Sequence, residues 1–568
     1  MNKLKTAIIP AAGRGKRMLS VTDNFPKAMI PYKGKPIIGH QIDWLIKNGY
    51  NNLFIVTSYR KEKIIDYVSR EYSHLINLNF VEQENLNGLS SAILDALNSF
   101  DNSTMNSEQF LVLLSDVLPL EDLDDTYDNY ICTSVIEDDD ISRWCLVSTD
   151  DDGNIVEFYD KPEYKVLTRK NIVGLYGFTD FNKMKHFLNM QMWTFGGLIK
   201  NELQFSYALD KYNKEIGLKS YRYDNFLDFG EYDKLSAAKK NQTRHFNSIE
   251  IIDSEDGTKK VVKKSKDIEK MKNERDWLYH SPIAKEFGPK ILGFQGLGSY
   301  EMEFIESHPM QELYCFGILN EQQWLQFFDQ LTSLFIKELF FNYSPDEKNS
   351  EEFVLLKKDE MKEMNEAILV EKTINRLEKV KEMFPLEKYT INGKIYKNPA
   401  LNMTNIINKL KSISSNTKYY GTIHGDLFFG NMMYDKNKKK LNVFDPRGNY
   451  GLKGGSKNPQ YYKFIGDVRY DAAKMNHSIN GYYDFIINGL YILEKNGSII
   501  RYQFYDGDSQ EMVKKMFDQF LLKMEFDKDE IELITGILFL SMIPLHSENK
   551  NNQIMQFCKA CEFLSKFI

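Results

Sequence analysis

Two stretches of this chain bring together residue types suited to handling phosphate. Near its start, Ala11-Ala12-Gly13-Arg14-Gly15-Lys16-Arg17 follows the apolar run Thr6-Ala7-Ile8-Ile9-Pro10. Glycines between a buried strand and a helix let backbone N–H groups close on a phosphate chain, and Arg14, Lys16 and Arg17 add positive charge. A short glycine loop alone is equally compatible with an ordinary tight turn. Here Pro26-Lys27 follows, and Gly34-Lys35-Pro36 opens the next helix. Much later, His424-Gly425-Asp426-Leu427-Phe428-Phe429-Gly430-Asn431 sets an aspartate and an asparagine five positions apart in a turn. Val443-Phe444-Asp445-Pro446-Arg447-Gly448 then ends a strand on a further carboxylate. Phosphoryl transfer needs a base beside an acceptor hydroxyl and oxygen ligands for Mg²⁺ on the ATP phosphates, and this second stretch holds both.

The elements that must position these residues differ between the two halves. Strand-like runs at Asn52–Thr57, Leu78–Val81 and Phe110–Ser115 alternate with helical patterns at Ile38–Lys47, Lys61–Ser69 and Ser91–Asn98. That alternation, continuing to about Lys240, predicts βαβ units and a mostly parallel, buried sheet. Lys239–Arg244 is polar and lacks periodicity, so it reads as a short linker. Beyond it, Ser248–Ile252 and Lys259–Lys263 flank an Asp256-Gly257 turn, a hairpin signal. From about Glu321 the pattern is mainly helical, over Gln322–Leu339, Glu351–Phe384 and Asn402–Ser412, with a second hairpin around Gly430–Asp445 and helices to the end. The reading is α/β followed by α+β.

Bulk properties bound what such a chain can be. Its 568 residues predict about three or four packing units. With 42% hydrophobic and 27% charged residues, the balance is that of a soluble globular protein. Only 33 glycines and 15 prolines exclude a collagen-like or linker-rich chain. The net charge of −7 offers no overall basic field for nucleic acid. Five cysteines cannot form a disulfide framework at this length and suit a reducing compartment. No apolar run is long enough to span a bilayer, and Ala7–Ala12 lacks a signal-peptide pattern. The expectation is a cytoplasmic protein with no nucleic acid partner and no membrane insertion.

The first half resembles the sugar nucleotidyltransferases, a superfamily that includes glucose-1-phosphate uridylyl- and thymidylyltransferases and phosphocholine cytidylyltransferases. The resemblance lies in the glycine loop, Pro26-Lys27 and Gly34-Lys35-Pro36, and in later landmarks over residues 1–240. It implies a Rossmann-like domain in which Ala12, Gly13, Gly15, Gln83 and Gly88 bind the nucleotide, although Leu89 stands where the family has threonine. By the same resemblance Arg17 contacts pyrophosphate and Lys27 the triphosphate or acceptor phosphate, while Asp116 and Asp228 bind Mg²⁺. Asp160-Lys161-Pro162 is similar to the family's E-K-P element, with aspartate for glutamate, and Val173-Gly174-Leu175-Tyr176 to its V-G-x-Y strand. Asp160, Lys161 and Gly174 are thereby assigned to the acceptor. The implied reaction joins a phosphomonoester to the α-phosphorus of a nucleoside triphosphate (CTP or UTP) and releases pyrophosphate.

The second half resembles the aminoglycoside phosphotransferase and choline kinase family, whose H-G-D-x-x-x-x-N hallmark stands unchanged at His424–Asn431. It implies a two-lobed, protein-kinase-like α+β domain, with Asp426 the catalytic base, Asn431 and Asp445 ligands of Mg²⁺, and His424 a brace. Gly466-Asp467-Val468-Arg469-Tyr470-Asp471 matches a later structural element, and Gly425 in place of arginine implies a small-molecule acceptor. On the upstream hairpin Lys263, chosen over its neighbour Lys264, is the ATP lysine, with Glu274 its partner carboxylate and Glu303-Phe304-Ile305 the adenine-contacting hinge. The division is a nucleotidyltransferase domain at 1–240, a linker at 241–245, a smaller lobe at 246–310 and a larger lobe at 311–568.

Weaker signals are the Cys558-Lys559-Ala560-Cys561 pair, read as packed core, and the basic loop of Arg447, Lys453 and Lys457. The basic loop is either a solvated face or an acceptor site favouring anionic or hydroxyl-rich compounds, whereas Tyr450, Tyr461 and Tyr462 suit choline. The composite expectation is a bifunctional enzyme. ATP phosphorylates a sugar or polyol in the second half, and the first half activates the product with an NTP as a precursor for surface polysaccharide. Alternatives are a choline kinase joined to a phosphocholine cytidylyltransferase, and a nucleotidyltransferase with an inactive kinase-like interaction module.

Overall fold

The computed structural model describes residues 4–13, 15, 26–32, 35–83, 87–101, 104, 109–123, 128–136, 141–164, 166–194, 196–199, 202–230, 247–253, 259–294, 296, 298–340, 350–450, 463–547 and 549–568. The chain forms two compact units, Met1–Asn241 and Gln242–Ile568. The expected linker at 241–245 lies outside the described residues.

The first unit is built on a nine-stranded sheet. Strands Gln109–Leu113, Lys5–Pro10, Asn52–Thr57 and Asn77–Glu82 lie side by side and parallel, with Ala7 opposite Leu53 and Leu111, and Ile55 opposite Phe80. Every residue of Asn52–Thr57 is buried, as expected of a strand covered on both faces. Helix Ile37–Lys47 buries Ile37, Ile38, Gln41, Ile42, Trp44 and Leu45, a stripe at helical spacing, and ends where Asn48 Nδ2 donates to Trp44 O at 2.8 Å. The sheet is rich in parallel pairs, which Lys219–Arg222 beside Tyr130–Val135 extends, and it takes antiparallel strands as well. Strand Lys170–Phe178 runs antiparallel to Gln109–Leu113, Tyr130–Val135 and Cys145–Thr149, and Ile155–Asp160 is antiparallel to Cys145–Thr149. The reason is local: among the described residues no long helix lies between these strands to supply a crossover.

The second unit begins with a four-stranded antiparallel sheet ordered Asn247–Asp253, Lys259–Ser265, Ser299–Glu303, Ile291–Gly293. Helix Ile268–His280 lies along the chain between Lys259–Ser265 and Ile291–Gly293. Helices then dominate, including Glu321–Phe340, Val468–Ile479, Asp508–Lys523, Lys528–Met542 and Lys550–Leu564. The long helix expected at Glu351–Phe384 is Ser350–Glu366 and Lys372–Met383 joined by a π-helical segment, Ala367–Glu371. A second four-stranded sheet, Lys394–Lys397, Lys388–Ile391, Ile499–Phe504, Tyr491–Asn496, lies between the helices, where the sequence pattern marks no strand. Its turns carried the signal: Asn392-Gly393 has φ of 46° and 82°, matching a two-residue hairpin, and Gly497 follows Asn496 at the other turn. Cys558 and Cys561 are buried, unbridged and packed in the last long helix, and burial pushes both thiols up.

Candidate active sites

In the first unit the chemistry collects at the carboxyl ends of adjacent parallel strands. Ala11–Gly15 follows Lys5–Pro10, Gln83 follows Asn77–Glu82, and Asp116 lies just beyond Gln109–Leu113. This edge is where open α/β sheets bind ligands. Lys27 Nζ donates to Asp116 Oδ2 at 2.7 Å and to Gly230 O at 3.4 Å. Gly230 N in turn donates to Asp228 Oδ1 at 2.6 Å, and Phe229 N to Asp116 O at 2.8 Å. A Cβ at Gly230 would sit 2.8 Å from Asp228 Oδ1 and 3.7 Å from Asp116 Oδ2, so both carboxylates face one point. Gln83 is buried; its Nε2 donates to Ser91 Oγ at 2.5 Å, next to Gly88, which packs on the backbone of Leu203. Leu89, standing where the resemblance expects threonine, opens the helix Leu89–Asn98.

Asp160 ends strand Ile155–Asp160, Lys161 follows it, and both are engaged by the start of helix Phe205–Glu215. Ser206 Oγ donates to Asp160 Oδ2 at 2.5 Å, and Lys161 Nζ to Gln204 Oε1 at 2.6 Å. Gly174 O accepts from Leu114 N at 3.0 Å, and a side chain at 174 would press on Leu114 and Val117, which bracket Asp116. Gly174 therefore shapes the turn that carries Asp116. Arg14, Lys16 and Arg17 lie outside the described residues.

In the second unit Lys263 is nearly fully buried, and its Nζ contacts both Glu274 Oε1 and Asp445 Oδ1, the latter at 2.5 Å. Tyr300 Oη donates to the same Glu274 oxygen at 2.6 Å. Burial pushes the Lys263 ammonium down, but Asp445 and Glu274 outweigh it and raise it, so the lysine is a permanent cation. Lys264, on the opposite face of the strand, is half exposed and pairs with Glu250 at 3.1 Å. Asp445 has a left-handed backbone, φ 60°, an uncommon conformation that collects at functional sites.

The turn at His424–Asn431 is held from several directions. Asp471 accepts from His424 N at 2.7 Å and Gly425 N at 2.8 Å. His424 is fully buried, which pushes its pKa down to about 4, so the ring is neutral. Its Nδ1 accepts from Asp426 N at 3.3 Å and its Nε2 donates to Phe444 O at 3.0 Å, tying the Asp426 turn to the Asp445 strand. Asn431 Nδ2 donates to Asp426 O at 2.9 Å and Oδ2 at 3.3 Å. Gly425 has φ 77°, and a Cβ there would collide with Tyr450 Oη, so glycine is required. Asp426 Oδ1 pairs with Lys474 Nζ at 2.8 Å. Burial raises the Asp426 carboxyl, but Lys474 outweighs it and holds the group below the usual carboxylate range.

The structure thus brings Lys263, Glu274 and Asp445 into one cluster and Asp426, Asn431 and His424 into another, joined through Phe444. Glu303 and Ile305 are not in either cluster: Glu303 Oε1 accepts from Lys290 N at 2.9 Å. Arg447 is exposed, with its N donating to His424 O at 2.9 Å and its guanidinium 5.6 Å from the Tyr450 ring centre. Lys453, Lys457, Tyr461 and Tyr462 lie outside the described residues. Lys474 and Tyr300 were missed in the sequence. Lys474 follows Asp471 by three positions on helix Val468–Ile479 and so shares its face, a spacing that could have flagged it.

The chain matches the nucleotidyl transferase family over residues 6–243. It is 33% identical over 174 residues to the bifunctional protein GlmU of Methanocaldococcus jannaschii, covering 30% of this chain and 39% of that one. It is 31% identical over 181 residues to the UTP–glucose-1-phosphate uridylyltransferase AglF of Haloferax volcanii, covering 30% of this chain and 71% of that one. A solved UDP-glucose pyrophosphorylase complexed with UDP-glucose aligns with 42% of this chain and 98% of its own, at 21% identity and a TM-score of 0.37. The chain belongs to the nucleotidyl transferase family, through its first unit. It spans 39% of the GlmU relative's length, and the family match ends at residue 243.

Proposed function

We propose that the protein catalyses two consecutive phosphate reactions. The second unit transfers the γ-phosphoryl group of ATP to the hydroxyl of a small sugar-like or polyol acceptor. The first unit then joins the resulting phosphate to a nucleotidyl group from an NTP, releasing pyrophosphate. The observation that carries this reading is that each unit assembles, from residues distant in sequence, a lysine bonded to an aspartate beside a second oxygen ligand. These sets are Lys27 with Asp116 and Asp228, and Lys263 with Asp445, whose neighbour Phe444 N donates to Asn431 O at 3.1 Å. The names of the relatives support a sugar phosphate and UTP; CTP is the other candidate nucleotide.

Both oxygen sets fit Mg²⁺. Asp116 and Asp445 each already accept a lysine cation, and two protein oxygens suffice for an ion that keeps waters and takes phosphate oxygens. Bound there, Mg²⁺ would neutralise the phosphate charge. In the second unit Asp426 takes the proton of the acceptor hydroxyl as its oxygen bonds to the γ-phosphorus. The bond from that phosphorus to the β,γ-bridging oxygen breaks, and ADP leaves. Lys474 keeps Asp426 ionised, and Lys263 offers its charge to the nucleotide phosphates. In the first unit an acceptor phosphate oxygen bonds to the α-phosphorus, the α,β-bridging bond breaks, and Lys27 stabilises the charge that develops.

The test is a mass-spectrometric screen of sugars, alditols and choline with ATP and each of the four NTPs, repeated with two variants. Asp426→Ala should lower ADP formation by about 10²–10⁴-fold and spare pyrophosphate release from a supplied phosphomonoester. Asp116→Ala should do the reverse. ATP consumption unchanged in Asp426→Ala, or absent in the wild type with every acceptor, overturns the kinase half; phosphocholine as the sole nucleotidylated product overturns the sugar preference.

A further inference from the structure

In the first unit, helix Phe205–Glu215 and strand Ile155–Asp160 are tied together at two points. Ser206 Oγ donates to Asp160 Oδ2 at 2.5 Å, and Asn213 Nδ2 donates to Ile155 O at 2.8 Å. From Ser206 to Asn213 the helix advances about 10 Å. Along this stretch runs a groove of about 530 Å³, within the range of cavities that hold a whole small ligand. The helix buries Phe205, Ala208, Leu209 and Tyr212 in the core, and Ser206, Asp210 and Lys214, spaced four apart, form the stripe that lines the groove.

One short segment connects this groove to the reacting end. Leu203 N donates to Asn87 O at 3.0 Å, and a Cβ at Gly88 would lie 2.8 Å from Leu203 O. Gln204 holds Lys161, and Ser206 holds Asp160, which also lines the groove. The walls are of two kinds. Val156, Phe158 and Tyr207 supply apolar and aromatic surface, with Tyr207 packed on Gly196 and Gly197 so closely that an added Cβ at either would collide with it. Asp160, Ser206 and Asp210 supply oxygens, and among the described residues only Oδ2 of Asp160 is hydrogen-bonded. Lys214 answers Asp210 at 2.6 Å, so the groove lacks the surplus of negative charge that would select a cation, while its carboxylates disfavour a second phosphate. Hydrogen-bond acceptors facing aromatic surface suit a neutral group with apolar faces and many hydroxyl donors, which is a sugar ring.

We propose that the groove is a second sugar subsite: the phosphomonoester used by the first unit extends past the ring that bears its phosphate, and a further neutral ring packs against Phe158 and Tyr207 with its hydroxyls donating to Asp210. This rests on the reading of Asp160 as an acceptor residue and lengthens that acceptor from one ring to two.

The test gives the full-length protein Mg²⁺ and each of the four NTPs with glucose 1-phosphate or with maltose, cellobiose and lactose 1-phosphates, whose phosphate-bearing ring is the same glucose. Pyrophosphate release and product mass are read together. At least one disaccharide phosphate should exceed glucose 1-phosphate by about tenfold or more in kcat/KM, since one hydrogen bond to a charged group is worth that much. Two variants then examine the groove from its two walls. Asp210→Ala removes the carboxylate, and its pair with Lys214 is exposed enough that the fold loses little. Val156→Trp fills the groove from a position already 61% exposed. Each should raise KM for the favoured disaccharide phosphate by about tenfold while leaving KM for glucose 1-phosphate in place. Glucose 1-phosphate used as well as or better than every disaccharide phosphate, or a variant loss shared by one-ring and two-ring acceptors, overturns the inference and leaves the nucleotidyltransferase reading standing. No pyrophosphate release with any of these phosphates defeats the sugar-phosphate reading of the first unit, and this inference falls with it.

Discussion

Asp484, in the short helix Tyr483–Ile487, is a fully buried carboxyl with neither oxygen hydrogen-bonded, and burial pushes it up to about 7. In the unfolded chain such a group titrates near pH 4, so between about pH 4 and 7 the folded protein keeps a proton that the unfolded chain has lost. Stability contributed by the neutral form is therefore lost as pH rises through that window. Asp484→Asn keeps the shape and removes the titration. It should stabilise the second unit more at pH 8 than at pH 5, by roughly 2–3 kcal/mol, in urea unfolding of both proteins at both values. An equal effect at the two pH values would sink the argument. Single residues of this kind were not legible in the sequence, because burial without a partner leaves no pattern. By contrast, the strand alternation that separates Lys263 from Lys264 was legible, and Lys263 is the one that meets Glu274 and Asp445. Lys474 fell between: its spacing from Asp471 was readable, but nothing local announced that it would face Asp426.

At the level of elements, the loop after Asp445 runs hard against helix Ile268–His280, which carries Glu274. Gly448 has φ 73°, and a Cβ there would lie 2.0 Å from Asn273 O and 2.9 Å from Glu274 N. Gly448→Ala must therefore both strain the loop and push it off the helix, separating Asp445 from the Lys263–Glu274 pair. Expected is a loss of about 1–3 kcal/mol in stability of the second unit together with at least about tenfold slower ADP formation, while pyrophosphate release by the first unit is unchanged. Unaltered ATP turnover would show that the loop does not set the cluster. The same scale explains what the sequence pattern conveyed. Strand–helix alternation set the parallel strands through Leu113 and hence the edge where Gly15, Gln83 and Asp116 gather. It says less between Tyr130 and Phe178, where among the described residues no long helix separates the strands, and in the second sheet, whose four-residue strands at Lys388–Lys397 are too short for a periodicity to stand out.

For the whole molecule, a net charge of −7 hides local ion pairs, Lys27 with Asp116 in one unit and Lys263 with Glu274 and Asp445 in the other. Composition rightly carried no hint of them, since charge averaged over 568 residues says nothing of where it converges. Each unit draws the lysine and carboxylates of its proposed set from its own residues, so on the reading proposed above each reaction is complete within one unit. Two self-contained sites that share only an intermediate need not share a chain. The Asp116→Ala protein retains the kinase set and the Asp426→Ala protein the nucleotidyltransferase set. An equimolar mixture of the two, given acceptor, ATP and NTP, should make the nucleotide-linked product at a rate approaching that of the wild type. The free phosphorylated acceptor should be detectable by mass spectrometry before product appears, and the lag should shorten as protein concentration rises. If each variant performs its own half-reaction on supplied substrate but the mixture makes no product, the intermediate passes directly between the units, and release into solvent is wrong.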